Sequence, residues 1–202
     1  MSITNYSELQ TAVGKWLQRS DLNSMIPDFI KLAEANFNRS LRLGGQLIRE
    51  NLTVSNRWTD LSGLTYTCLD IRSVKITAGG KSFSLQFMAP ETSHTYYTSG
   101  TPKFYTRAGD ELGVFPSPDG SYTLEVEYWR DIPDLATNST NFLLTKAPDL
   151  YLYRAVLEGA QYLHNVELVA RIDPMIQRAM QEVRADDNRR QFGGSAFTIK
   201  AA

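Results

Sequence analysis

The spacing of hydrophobic residues changes twice along the chain, and each change marks a different kind of secondary structure. Between residues 9 and 17, and again between 26 and 41, apolar side chains recur every three or four positions. That period places them on one face of an α-helix, so each segment predicts an amphipathic helix. Helical spacing returns after residue 142 and continues to about residue 190. The pattern therefore predicts helices at both ends of the chain.

Residues at the predicted helix ends support these assignments. Asn5 followed by Glu8 is the pattern of an N-terminal cap with its return partner. Pro27 and Pro148 each suit the first turn of a helix, because proline has no N–H to leave unpaired there. We expect Gly44-Gly45 to end the second helix, since glycine readily adopts the left-handed conformation found just after a helix.

Between about residues 46 and 142, apolar and polar residues alternate instead. The clearest alternating runs are 74–77, 83–87 and 122–128, and residues 112–115, between two turn signals, form a further predicted strand. A period of two is typical of strands with one buried face, and Gly79-Gly80 between the first two runs indicates a hairpin. Turn signals recur every 8–12 residues or so, which favours an antiparallel meander or a small sandwich. The strand order stays open.

The last two helices differ in how they can pack. Residues 150–163 are apolar almost all round, which is typical of a helix buried in its own chain or against another copy. Gly159 within this segment would let a neighbouring helix approach closely, at a propensity cost of about 1 kcal/mol. The closing segment, residues 191–202, contains Gly193-Gly194, and we predict an extended C-terminal tail there.

Together these elements predict an α+β fold with three parts. Residues 1–45 and 143–190 form a discontinuous helical bundle domain built from both chain ends. Residues 46–142 form an inserted antiparallel β domain, and residues 191–202 form the tail.

Composition excludes several classes of protein. The 202 residues carry 21 Lys and Arg against 22 Asp and Glu, a net charge of −1, so the strongly basic signature of a nucleic-acid-binding domain is missing. The single cysteine, Cys68, cannot form an internal disulfide. No apolar window approaches the ~20 residues of a membrane span. We expect no secretion signal and no membrane association.

The chain offers little material for catalysis. It has no glycine-rich phosphate loop, paired-cysteine metal motif or nucleophile elbow, and we predict no catalytic, cofactor-binding or metal-ligating residues and no cofactor. His94 and His164 lack nearby partners, and Cys68 fits a small core thiol. Asp186-Asp187 with Glu182 could suggest a metal cluster, but a solvated helix surface is the favoured interpretation.

Two features favour an interaction protein over an enzyme. The first is an arginine-rich segment that ends the last helix, consisting of Arg178, Arg184, Arg189 and Arg190. Arginine suits bidentate contacts across an interface, although cations near a helix C-terminus are an equally good explanation. The second is an excess of aromatic residues, about half of them core: Tyr96, Tyr97, Phe104, Tyr105, Tyr128, Trp129, Tyr151 and Tyr153.

Several landmarks, taken in order, resemble a known family. They are Tyr6-Ser7-Glu8-Leu9-Gln10, Trp16 to Leu22, Ile26-Pro27-Asp28-Phe29-Ile30-Lys31-Leu32-Ala33-Glu34-Ala35, Ser99-Gly100-Thr101-Pro102, Phe115-Pro116-Ser117-Pro118, Tyr128-Trp129-Arg130-Asp131-Ile132-Pro133 and Ala147-Pro148-Asp149-Leu150-Tyr151-Leu152-Tyr153. Their order and spacing over residues 3 to about 185 resemble the head-to-tail adaptor (connector) proteins of tailed bacteriophages, similar to the podophage tail tubular protein A and siphophage adaptor group.

The resemblance implies a structural virion protein that is not an enzyme. Such adaptors form a ring, usually of twelve copies, below the portal protein. The ring extends the DNA channel, contacts passing genomic DNA without sequence specificity, and docks the stopper, nozzle or tail protein. The implied location is the head-tail junction of the virion, with assembly in the host cytoplasm.

The resemblance also implies an interface at the C-terminal end, because in this family that end commonly reaches toward the portal. The expected portal or neighbour contacts in this chain are Arg178, Arg184, Arg189, Arg190, Phe192, Phe197, Ile199 and Lys200.

Two alternatives stay open. One is a tail-tube or stopper component of a phage particle. The other is a carbohydrate-binding β module on a helical stalk, with Tyr96, Tyr97 or Trp129 as stacking platforms.

Overall fold

The structure, a computed structural model, describes residues 3–91 and 98–192. These residues divide into two compact units. The helical unit holds the chain up to Gly45 and from Ile132 onward, and the β unit holds Gln46–Asp131. The α+β fold class is confirmed, and the division into independent domains at residues 45/46 and 142/143 stays a prediction.

The described residues of the helical unit form six helices. They are α1 Tyr6–Leu17, α2 Ile26–Ser40, α3 Leu135–Asn138, α4 Phe142–Lys146, α5 Pro148–Tyr162 and α6 Val166–Phe192. Helix α6 runs two residues into the segment predicted as a tail, and the rest of that segment lies outside the described residues.

The cap predicted for α1 is confirmed, with one change of partner. The Asn5 side-chain oxygen accepts the backbone N–H of Glu8 at 2.9 Å. The Glu8 carboxylate reaches back to the N–H of Thr4, at 2.7 Å, rather than to that of the cap residue itself. This hydrogen bond lowers the pKa of Glu8 below its usual value. The Asn5 side chain therefore satisfies one of the backbone donors that the helix leaves free, and the Glu8 side chain ties down the residue before the cap.

The predicted stop of α2 at Gly44-Gly45 is wrong, because the helix ends at Ser40. The guanidinium of Arg42 donates to the carbonyls of Asn38 and Leu41, at 2.8 and 2.7 Å. A cation at this point satisfies carbonyls that a glycine-containing turn would otherwise satisfy, and it also opposes the negative end of the helix dipole.

Close packing at Gly159 is confirmed. The Leu17 side chain of α1 and the Phe29 ring of α2 both lie against this glycine of α5, and a Cβ built there would be only 2.7 Å from Leu17 Cδ1. The rest of the core comes from all the longer helices and includes Leu9, Phe37 and many other fully buried side chains. The glycine thus lets two helices approach α5 at one place.

In the β unit, residues 46–91 and 98–131 form two four-stranded sheets. The strands are β1 Leu47–Val54, β2 Trp58–Asp60, β3 Cys68–Ala78, β4 Lys81–Ser84, β5 Gln86–Phe87, β6 Phe104–Ala108, β7 Glu111–Phe115 and β8 Tyr122–Arg130. The first sheet has the order β1-β8-β3-β4 and the second β2-β7-β6-β5. Buried residues of both sheets form one core. All pairings between these strands are antiparallel except β5 with β6.

The first and last strands of the β unit are neighbours in the first sheet. They pair along their whole length, from Leu47 opposite Trp129 to Val54 opposite Tyr122. The Gln46 side-chain amide also donates to the Arg130 carbonyl at 3.2 Å. The chain therefore enters and leaves the β unit through adjacent strands.

The alternating run 83–87 forms two strands rather than one. The hairpin at Gly79-Gly80 pairs β4 with β3 as predicted. At Leu85 the chain passes from the first sheet to the second, because the Leu85 N–H donates to Val74 and the Gln86 N–H donates to Lys103. Leu85 is buried at this crossing, whereas the aromatic rings on either side of it are exposed.

A glycine in β7 provides a test of the β-unit packing. Ring atoms of Trp58 lie 2.6–2.9 Å from the position of a Cβ on Gly113. The Trp58 ring also packs edge-on against Phe115, with centroids 5.9 Å apart, so it has little freedom to move away. Gly113→Ala is therefore expected to lower the free energy of unfolding by about 1–3 kcal/mol, measured by denaturant titration with tryptophan fluorescence.

The matched control for this prediction is Gly120→Ala. A Cβ there would meet no atom within 4 Å, so the same substitution is expected to leave the unfolding midpoint nearly unchanged. Equal midpoints for the Gly113 and Gly120 variants would contradict the packing argument.

Candidate functional site

Three of the predicted interface arginines lie exposed on α6 and pair with carboxylates of the same helix. Arg178 donates to Glu182 at 2.9 Å, and Arg190 lies 3.1 Å from Asp186. Arg189 lies 3.8 Å from Asp186. The arginine side chains are 71–82% exposed, and exposed pairs of this kind contribute only about 0.2–1 kcal/mol. Their guanidinium groups can therefore exchange these partners for others at little cost.

The fourth arginine, Arg184, has a structural contact. Its Nη2 donates to the carbonyl of Ser40, the last residue of α2, at 3.0 Å. This bond joins α6 to α2, and it supplies a second guanidinium to the helix end that Arg42 already caps. Two explanations of these arginines fit the sequence, interface contacts and cations placed near a helix C-terminus. The second explanation fits Arg184, although the helix that it caps is α2 and not α6.

The acidic residues of this region do not all lie at the surface. Glu182 and Asp186 have exposed or partly exposed side chains, as expected for a solvated helix face. Asp187 is only 6% exposed, and its carboxylate accepts the backbone N–H of Gly44. The surface interpretation is therefore wrong for Asp187. Within residues 3–91 and 98–192, no three His, Cys, Asp or Glu side chains are grouped so as to hold a metal ion.

The remaining predicted interface residues are not described. Phe197, Ile199 and Lys200 lie outside the described residues, as do His94 and the pair Tyr96-Tyr97. The backbone of Phe192 closes α6, and its side chain is not described. Of the predicted interface, the structure therefore places the four arginines, all on α6.

The thiol of Cys68 lies in the core of the β unit. Burial raises its pKa to about 11, although the Arg107 guanidinium nearby lowers it in part. A thiol with a raised pKa stays protonated at neutral pH and is a poor nucleophile. His164 has φ 52° and joins α5 to α6, with its N–H donating to Gln161. These positions fit the core and helix-end interpretations of the two residues.

Most of the described aromatic candidates are not exposed. Tyr105, Tyr128 and Tyr151 are buried, and burial raises the pKa of each phenol. Among the described residues, the most exposed rings of the β unit are instead Phe83 and Phe87, which are 52% and 64% exposed, followed by Tyr66 at 41%. Alternation alone could not identify them, because their period matches that of buried strand residues.

An apolar cleft lies beside one of these exposed rings. It has a volume of about 390 Å³, and Phe83, Leu85 and Pro102 contribute to its walls. Trp129, one of the aromatic candidates from the sequence, lies under the guanidinium of Arg72, which is 6.0 Å from the ring centroid. The face of Trp129 is therefore partly occupied by a side chain of the same unit.

None of the helices in the described ranges is both long and apolar enough to cross a membrane.

Comparison with known proteins identifies the family. No curated protein matches the chain. The family model described as SU10 adaptor protein matches residues 4–198, nearly the whole sequence. The resemblance to phage head-to-tail adaptors is thereby confirmed, and the chain belongs to the SU10 adaptor protein family.

Proposed function

We propose that this phage adaptor forms a ring of twelve copies beneath the portal protein, at the head-tail junction of the virion. The ring extends the DNA channel and docks the stopper, nozzle or tail protein, after assembly in the host cytoplasm. The family match over residues 4–198 is the observation that carries the proposal. In such a ring, one face of each copy contacts a different face of the next copy. The ring closes when the rotation from one copy to the next divides a full turn into a whole number of steps.

Two properties of the chain support a role in contact rather than catalysis. Its net charge of −1 suits a conduit for DNA, because a strongly basic channel would hold the phosphate backbone and release counterions. Its one thiol is buried with a raised pKa, so it cannot readily act as a nucleophile. We therefore propose that the protein is not an enzyme and that DNA passes it without sequence-specific contacts.

Ring formation can be tested by mixing the purified protein with the portal protein of the same phage. Native mass spectrometry and negative-stain images are expected to show portal rings carrying twelve added copies. Portal rings that gain no mass even with a large molar excess of the purified protein would contradict the proposal. Added copies bound to an isolated tail tube and not to the portal would instead favour the tail-tube or stopper alternative.

We further propose that the C-terminal segment makes the portal contact. Three arginines of α6, Arg178, Arg189 and Arg190, are exposed and only weakly paired, so they are available to a partner. Phe197 and Ile199 follow Gly193-Gly194 and provide apolar side chains without a core of their own. A segment that orders on binding can present such side chains to a partner surface.

Deleting residues 193–202 is expected to weaken portal binding by at least about tenfold, because it removes the apolar part of the contact. The deletion leaves α6 complete, since that helix ends at Phe192. Binding is measured by pull-down titration or surface plasmon resonance on immobilised portal rings. Phe197→Ala should reproduce most of the loss of portal binding. Thr198→Ala, which changes a polar neighbour, should leave portal binding nearly unchanged. Undiminished binding by the deletion variant would rule out this contact.

A further inference from the structure

Residues 184–191, the part of the end of α6 whose side chains are described, include no buried apolar side chain. Ile172, Ile176, Ala179 and Val183 are the buried apolar side chains of this helix, and they all lie before residue 184. Between residues 184 and 191 the only buried side chain is that of an aspartate, Asp187. Buried apolar side chains therefore hold α6 as far as Val183, and residues 184–187 contact the rest of the helical unit through hydrogen bonds and ion pairs.

Asp187 provides the most buried of these polar contacts. Its two carboxylate oxygens accept the backbone N–H of Gly44 at 3.0 and 2.9 Å. The Gln191 side chain donates to Oδ2 at 2.8 Å, and Lys146 Nζ lies 3.7 Å from Oδ1. One carboxylate thus joins the end of α6 to α4 and to the short turn Gly44–Gln46 that follows α2.

Glycine at position 44 is part of this arrangement. A Cβ there would lie 3.3 Å from Asp187 Oδ1 and 3.2 Å from Gln191 Nε2, which is closer than most Cβ atoms approach a neighbour. Without a side chain, the backbone N–H is open to the carboxylate. Gly44 therefore serves as a hydrogen-bond donor for α6 and does not end α2.

The neighbouring aspartate is differently placed. The Asp186 side chain is 35% exposed and pairs with Lys146 and Arg190, each at 3.1 Å. Partly exposed pairs are replaced by water at small cost, whereas a buried carboxylate that loses its donors keeps a large desolvation penalty. Of the two adjacent carboxylates, Asp187 is the one on which the position of the helix end depends.

We propose that Asp187 is a positioning residue for portal binding: by holding the end of α6 against Gly44, it fixes where the C-terminal segment begins. This inference rests on the proposed function, in which that segment contacts the portal. A helix end held in one position restricts the conformations of the residues that follow it. Binding of the segment then costs less conformational entropy.

The test compares Asp187→Ala and Asp187→Asn with Asp186→Asn as the matched control. Hydrogen exchange of the amides of residues 188–192 is expected to become at least about tenfold faster in the alanine variant. Without the hydrogen bond to Gly44, local opening of the helix end costs less free energy. Asp187→Asn keeps one acceptor oxygen and should show a smaller increase. The control keeps the Gly44 contact and should stay within about threefold of the wild type.

Portal binding provides the readout that a general loss of stability would not produce. The Asp187 variants are expected to bind portal rings about fivefold more weakly, and this loss should disappear when residues 193–202 are also deleted. Such non-additivity would show that Asp187 acts through the segment. If the alanine variant does not fold, as judged by circular dichroism, the asparagine variant carries the same comparison.

The possible outcomes separate this inference from the proposed function. Unchanged exchange at residues 188–192 in both Asp187 variants would overturn the inference, whatever the portal data show. Faster exchange with unchanged portal binding, in a protein whose deletion variant binds weakly, would also overturn it and leave the proposed function standing. If the deletion variant itself binds normally, the segment does not contact the portal and the positioning role fails with it.

Discussion

Replacing Phe37 by alanine is expected to lower the free energy of unfolding of the helical unit by about 3–5 kcal/mol. The Phe37 side chain is fully buried in α2. Its ring lies edge-on to that of Tyr151 in α5, with centroids 5.0 Å apart and an interplanar angle of 76°. The substitution removes the buried ring, leaves a cavity between the two helices and ends the aromatic pairing.

Denaturant titration followed by circular dichroism at helical wavelengths measures this effect. The control is the same substitution at an exposed ring, Phe83→Ala, which should cost less than about 1 kcal/mol because little buried area is lost. Similar losses for the two variants would show that Phe37 is not a packing centre of the helical unit.

The second large effect concerns pH and Glu34. This side chain is only 6% exposed, and burial raises the pKa of its carboxyl group to about 7. The Leu135 N–H, which donates to Glu34 Oε1 at 3.0 Å, opposes the shift, and the negative charge of Asp134 adds to it. The folded chain therefore keeps a proton on Glu34 over a pH range in which the unfolded chain has lost it.

The sign of the effect follows from this difference in proton binding. Below about pH 4.5 both states are protonated, and the favourable contribution of the protonated folded form is fully present. As the pH rises from about 4.5 to about 7 the contribution is lost, and above pH 7 the loss is complete. A shift of this size corresponds to about 3 kcal/mol.

Comparison with Glu34→Gln isolates this contribution from that of other carboxylates. Glutamine has the same shape, has no charge and can still accept the Leu135 N–H. The variant is expected to gain about 3 kcal/mol relative to the wild type between pH 4.5 and pH 7, measured by denaturant titrations at several pH values. Glu8→Gln is the control: the pKa of Glu8 is lowered, so its pH dependence should have the opposite sign. A difference between the wild type and Glu34→Gln that does not vary with pH would contradict the assignment.

The parts of the fold that could be predicted are those encoded by nearby residues. The cap at Asn5, the first-turn prolines of α2 and α5, and the hairpin at Gly79-Gly80 each depend on residues close together in sequence. Their geometry follows from local backbone conformation and local hydrogen bonding. The close approach at Gly159 was also predictable, because a small residue in an apolar helix has few other uses.

The features that were missed depend on residues far apart in sequence. The end of α2 at Ser40 is satisfied in part by Arg184, 144 positions later. Asp187 is buried because its donor, Gly44, lies 143 positions earlier. The passage between sheets at Leu85 requires the positions of β3 and β6 to be known. Periodicity reports which face of an element is apolar, and it cannot report which distant backbone group reaches a polar side chain.

The pairing of the first and last strands of the β unit has a consequence for how this chain can vary. Because Leu47 lies opposite Trp129, the two ends of the insertion are one strand spacing apart, roughly 5 Å. An exchange of everything between these two points would need no rerouting of the flanking chain, and only a few residues would bridge the gap after an excision. The β unit can thus be replaced by an insertion of different size and surface without a change in the backbone path of the flanking segments.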